Sequence, residues 1–169
     1  MDRTLIIYGT RKGTTENTVR VIAETLVLKN KHHVEITNIS NIRKFRKRFG
    51  EFNNLIIGSS IVSDRWKPSV LRFLKRYSFQ DQKIALFVTA GGTMNKEKKY
   101  GYSREQARKE AIQKYIDKYL FEFDFSPVDK TAFGGMVIRS GKEKFNSWNR
   151  DEIESWAIQL GKLFAGDSK

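Results

Sequence analysis

The chain has 169 residues, a length that suits one domain with its own core. Lys and Arg number 32 against 19 Asp and Glu, a formal charge of +13 that attracts polyanions or simply keeps a surface soluble. There is no Cys, which excludes disulfides, thiolate metal sites and cysteine nucleophiles, and the only histidines, His32 and His33, are neighbours that point apart along a strand and suit neither a metal site nor a catalytic triad.

No charged-then-apolar leader opens the sequence, and no apolar run approaches the ~20 residues that span a bilayer. The expected location is therefore cytoplasmic, with contact to an anionic membrane surface left open. The first element is a strand from about Arg3 to Tyr8, whose run Leu5-Ile6-Ile7 implies burial on both faces. It breaks at Gly9. Thr10-Arg11-Lys12-Gly13-Thr14-Thr15 follows as a loop. Val19, Ile22, Ala23, Leu26 and Val27 then fall at helical spacing, giving a helix from about Thr14 to Lys29. Helix N-termini leave backbone N–H groups unpaired and partly positive. With the hydroxyls of Thr10, Thr14 and Thr15, and with Gly13 permitting close approach, this loop has the parts of a phosphate cradle. The other reading is a hydroxyl-rich helix cap that binds nothing. Neither the G-x-x-x-x-G-K-[ST] phosphate loop nor the G-x-G-x-x-G dinucleotide fingerprint is present.

Val34 and Ile36 alternate with polar neighbours, as on a half-exposed edge strand. Ile42, Phe45 and Phe49 mark one face of a short crossover helix over Asn41 to Phe49. Its cations from Arg43 to Arg48 are either a solvated face or a docking patch for an anionic partner. Leu55-Ile56-Ile57-Gly58 is a short buried strand, and Ser59 to Trp66 reads as the loop after it. Pro68 fits the first turn of a helix whose buried stripe is Val70, Phe73, Leu74 and Tyr77. Ile84 to Val88 is the fourth strand, running into the small-residue loop Thr89-Ala90-Gly91-Gly92-Thr93, which Lys96-Glu97-Lys98-Lys99 extends as a mobile stretch. Ala107, Ala111, Ile112, Tyr115, Ile116 and Tyr119 set a helix. A fifth strand is expected within Thr131 to Arg139, and Asn149-x-x-Glu152 reads as a capping box for a last helix carrying Ile153, Trp156, Ala157, Leu160 and Phe164.

Strands alternating with helices along the whole chain predict an α/β three-layer sandwich, one domain over 1–169, with a five-stranded parallel sheet in the order 2-1-3-4-5. Ligands in such sheets sit beyond the carboxyl ends of the strands at the topological switch. The loops after strands one, three and four would meet there.

The spacing Thr10-x-x-Gly13-x-Thr15 resembles the phosphate loop of the flavodoxin family. Within that superfamily, Thr10 to Thr15, Gly58-Ser59-Ser60-Ile61 and the terminal helix Asn149 to Phe164 look most like the flavodoxin-type, menaquinone-dependent protoporphyrinogen oxidase branch. That branch carries a long insertion near the fifth strand, whereas here only Arg139 to Arg150 join strand to helix. Electron-carrier flavodoxins are usually acidic, and this chain is basic. The resemblance implies noncovalent FMN, with Thr10, Arg11, Lys12, Gly13, Thr14 and Thr15 on its phosphate. Ser60, Ile61, Val62, Ser63, Asp64, Arg65 and Trp66, with Thr89, Ala90, Gly91, Gly92 and Thr93, would flank its ring. Trp66 either stacks on the flavin or anchors the helix start. No side chain is assigned a catalytic role and no metal is implied.

Three functions follow as expectations. The first is an FMN-binding redox protein that exchanges electrons with a partner protein. The second is a protoporphyrinogen-oxidase-like dehydrogenase taking a porphyrinogen and passing electrons to a quinone. The third is a flavin-free module for anionic membrane or nucleic acid, without base-sequence preference because no RRM, KH or helix-turn-helix signature is present.

Overall fold

The computed structural model describes residues 1–96 and 100–166. Residues 97–99 of the stretch Lys96 to Lys99 lie outside the described residues. Strands β1 (Arg3–Gly9), β2 (His33–Asn38), β3 (Asn54–Val62), β5 (Lys83–Thr89) and β6 (Asp129–Phe133) form a parallel sheet in the order β2-β1-β3-β5-β6. This is the expected switch-point order. A short strand, β4 (Arg65–Trp66), folds back antiparallel on the end of β3.

Period-two alternation sends each central strand's side chains to two cores. Leu5 and Ile7 of β1 join Leu55, Ile57, Leu86 and Val88 on one face. There they are covered by the 3₁₀ stretch Ile39–Glu51, by α2 (Pro68–Arg76) and by α4 (Arg104–Tyr115). Ile6 and Tyr8 join Ile56, Ala85 and Phe87 on the other, beneath α1 (Thr14–Asn30) and α5 (Arg150–Ala165). Gly58 is required by this second core. A Cβ there would lie 2.0 Å from the Phe87 ring.

Register decides where the loops go. Gly9 of β1 pairs with Ser59 of β3, and Ser60 pairs with Thr89 of β5. The carboxyl ends of the three strands are therefore level.

Several expected elements differ. The crossover over Asn41 to Phe49 is 3₁₀ rather than α, a winding in which Ile42 and Phe45 still share a face. Ser59 to Val62 continues β3, and with β4 makes a hairpin where a loop was expected. The fifth strand ends at Phe133. Met136–Arg139 (β7) and Lys142–Asn146 (β8) instead form a separate antiparallel hairpin. The helix through Ala107 stops at Tyr115, and Tyr119 belongs to a 3₁₀ stretch, Asp117–Glu122. Asn149 caps α5 by accepting from Glu152 N at 3.3 Å. The Glu152 carboxylate meanwhile turns to Arg104 and Arg108. A complete capping box lies at Ser103 and Gln106.

His32 is buried, with Nδ1 2.9 Å from Thr4 Oγ1. Burial pushes its pKa below the usual value near 6.5, against the opposing pull of Asp2. The folded state thus binds this proton less readily than the unfolded chain. The stability it contributes is full above pH ~6.5 and is lost as pH falls through the lower folded value. The thermal midpoint should decline between pH 7 and pH 5, a range above the depressed carboxylates Glu35, Asp64 and Glu152. A His32→Gln variant should flatten that decline. An unchanged slope would assign it elsewhere.

Candidate functional site

Beyond the level strand ends lies a cavity of about 510 Å³. The first loop gives it Thr10, Lys12, Thr14 and Thr15; the second gives Ser60, Ile61, Val62, Ser63 and Asp64. Thr89, Ala90, Gly91, Gly92 and Thr93 line it from the third, where Gly91–Met94 is a single helical turn, α3. The structure thus brings together most of the residues named from sequence.

Four of those named lie off the cavity wall: Arg11, Gly13, Arg65 and Trp66. Trp66 is 3 % exposed and donates from Nε1 to the Tyr115 carbonyl at 2.6 Å. Of its two expected roles, this is the anchor. Arg65 is exposed on β4. Gly13 holds φ 84° at the N-cap of α1, a left-handed conformation that suits glycine, and supplies no side chain to cap the helix. Its N–H donates to Thr10 Oγ1 at 2.9 Å.

Arg11 acts as a strap. Its guanidinium donates to the carbonyls of Val62 (3.4 Å), Arg65 (3.4 Å) and Trp66 (3.0 Å), tying the first loop to the β3–β4 hairpin. Lys67 Nζ reaches the Thr10 carbonyl at 3.2 Å from the other side. Replacing Arg11 by Met should cost about 1 kcal/mol of stability, since a charge-assisted bond is partly offset by exposure to solvent. It should also loosen the hairpin, read as faster amide exchange at Ser63 to Trp66. Unchanged exchange there would remove the strap from the account.

Loops one and three are joined inside. Thr15 Oγ1 and Thr89 Oγ1 are 2.6 Å apart and buried. The hairpin tip is a two-residue turn with Ser63 at φ 51° and Asp64 at φ 59°, the primed geometry that matches strand twist. Asp64 accepts from Tyr115 Oη and lies 3.0 Å from Lys114 Nζ. Those two partners hold its carboxyl below the usual range. Tyr115 Oη also lies 2.9 Å from Thr93 Oγ1. Burial first, then Asp64, pushes the Tyr115 phenol upward.

The remaining wall was not anticipated from sequence. It comes from Lys96, Lys114 and Tyr115, and from the β7–β8 hairpin through Gly135, Met136, Val137, Ile138, Arg139 and Phe145. Lys12 Nζ donates to the Ile138 carbonyl at 3.2 Å, so the first loop holds this hairpin too. Ser140 and Gly141, at φ 52° and 71°, make a second primed turn; the pair Ser-Gly between short runs was the available signal. Among the described residues no cluster of His, Asp or Glu could hold a metal ion. No helix there is long and apolar enough to cross a membrane.

A doubly wound parallel sheet with a cavity at its switch point, walled by a hydroxyl-rich loop before α1, defines a flavodoxin-like protein. Residues 5–157 match the family model described as flavodoxin domain, and the chain belongs to that family. The family consists of FMN-binding proteins. The fold is shared with oxidised flavodoxin 1 from Bacillus cereus (TM-score 0.57, 16% identity, 99% of this chain and 100% of that one). It is shared as well with the Streptococcus pneumonia TIGR4 flavodoxin (TM-score 0.61, 10% identity, 98% and 99%). Rubredoxin oxygen:oxidoreductase from Desulfovibrio gigas matches with TM-score 0.60 at 14% identity over 98% of this chain, which spans 37% of that protein. No curated protein sequence matches the chain.

Proposed function

We propose that the chain holds FMN in this cavity and works as an electron-transfer flavoprotein. The observation that carries the reading is the chemistry of the cavity's walls. Thr10, Lys12, Thr14 and Thr15 stand at the uncapped N-terminus of α1, suited to a phosphate. Ile61, Val62, Gly91, Gly92, Met136, Val137 and Phe145 supply small and apolar surface, suited to a flat ring. Ser60 Oγ is buried against this space and has no hydrogen-bond partner among the described residues. A buried hydroxyl left unpaired is costly, and a polar ring edge would satisfy it. The residues present therefore fit FMN.

FMN supplies the electron-accepting and electron-donating chemistry. The chain's own part is to bind, orient and set the local field. Lys12, Lys96, Lys114 and Arg139 line the cavity; Glu110 pairs with Lys96 and Asp64 with Lys114, which leaves Lys12 and Arg139 in surplus. That surplus favours a phosphate and any negative charge that reduction places on the ring. Arg65, outside the wall, contributes less than its place in the sequence suggested.

The narrower reading is a quinone-linked dehydrogenase acting on a porphyrinogen, a carboxylate-bearing substrate that would need free cations on this wall. Lys96 is paired with Glu110 and Lys114 with Asp64, which favours the carrier. A flavin-free anion-binding module leaves the apolar wall unexplained. The test is titration of the apoprotein with FMN, followed by flavin fluorescence and the visible spectrum. One saturable site per chain is expected, and a redox partner then oxidises or reduces the bound flavin. Absence of saturable binding would overturn the reading.

A further inference from the structure

Six exposed cations gather on the face of the molecule that carries the 3₁₀ stretch and α2. Arg43, Lys44, Arg46 and Lys47 belong to the first, and Arg72 and Arg76 lie one helical turn apart on the second. None of the six has an ion-pair partner among the described residues. The nearby carboxylates are already engaged. Glu35 is held by Arg3 at 3.4 Å and Arg48 at 2.9 Å. Glu51 is held by the same two arginines at 3.1 Å. What projects is uncompensated positive charge.

Between the two segments runs a groove of about 270 Å³. Ile42, Phe73 and Tyr77 give it an apolar lining, and Arg46, Arg72 and Arg76 stand around it. Guanidinium groups bind carboxylates in a bidentate fork and leave their apolar stems against the floor. A membrane surface calls for projecting apolar side chains. The exposed large hydrophobic residues of this molecule all lie off these two segments. A nucleic-acid duplex, its bases stacked inside, presents only its phosphodiester backbone and offers nothing to fill an apolar slot between arginines.

We propose that this groove docks an acidic protein partner, through a segment in which carboxylates flank one aromatic side chain. The aromatic group fills the slot, and the carboxylates pair with the surrounding arginines. The proposal rests on this surface alone and stands whether or not the cavity holds FMN.

The probe is an unlabelled synthetic peptide in which glutamate and aspartate flank a single phenylalanine, titrated calorimetrically into the full chain at low ionic strength. Arg46→Glu with Arg72→Glu should weaken binding at least about tenfold. Lys29→Glu with Lys109→Glu makes the same change in net charge at exposed sites elsewhere, and should change it by less than about twofold. Replacing the peptide's phenylalanine by alanine should also weaken binding, by roughly fivefold or more. All four substituted residues are exposed, so thermal melts should stay near the parent. Equal loss in the two double variants, or indifference to the phenylalanine, would reduce the effect to overall charge and overturn the proposal. So would phosphatidylglycerol vesicles or duplex DNA that bind more tightly than the peptide and through the same two arginines.

Discussion

FMN should bind this chain on the order of a thousandfold more tightly than riboflavin, which differs only in lacking the phosphate. The argument is local. The first turn of α1 has no side-chain cap, because Gly13 occupies the N-cap. Its amides are therefore free for an anion, and Thr10, Lys12 and Thr14 stand beside them. Hydrogen bonds to a charged group are worth about 1.5–3 kcal/mol each, so two or three account for the difference. Thr14→Val should weaken FMN roughly tenfold and leave riboflavin unchanged. Thr15→Val should behave differently. Its hydroxyl is already bonded to Thr89, so the loss should appear first as about 1–3 kcal/mol of stability. Paired titrations with both ligands check this, and equal affinities would dismantle the phosphate cradle.

The parts of this site that could be read from sequence were those with local signals. Apolar runs at Leu5, Leu55 and Ile84, against the alternation of Val34 and Ile36, fixed which strands are central and which is an edge. The break at Gly9 and the hydroxyls after it marked the first loop. Where the signal was ambiguous, the reading went astray for physical reasons. Ser59 and Ser60 look like loop residues, yet they lie in β3, Ser59 paired with both β1 and β5 and Ser60 with β5. The turn at Ser63 and Asp64 adopts positive φ without glycine, so nothing announced a hairpin. Lys142–Asn146 is largely exposed and charged and shows little of the alternation of a half-buried strand, whereas the apolar Met136–Arg139 falls within the single fifth strand expected over Thr131 to Arg139. Tyr115 meets Asp64 only through the packing of α4 on the sheet, a contact between residues far apart in sequence that no spacing rule exposes. Trp66 admits two roles in sequence because local spacing does not say which side of a turn a side chain takes.

The β7–β8 hairpin supplies the second large effect. Gly134→Ala should lower the affinity for FMN and for riboflavin by the same factor, roughly tenfold or more, and destabilise the chain by about 1–3 kcal/mol. A Cβ at Gly134 would lie 1.9 Å from the Ser147 carbonyl oxygen and 2.4 Å from its carbon. These are backbone atoms and cannot swing aside as a side-chain end can. The chain must part where the hairpin closes, at Ser147 N to Gly135 O (3.1 Å) and Gly135 N to Ser147 Oγ (3.2 Å). Parting moves the wall built from Met136, Val137, Ile138 and Phe145. If that wall faces the ring, which the two ligands share, both lose the same contacts. The Thr14 substitution, by contrast, should be felt by FMN alone. A Gly134→Ala protein that retains its riboflavin affinity while melting lower would show that the hairpin is scaffold and that the ring is held by the second and third loops.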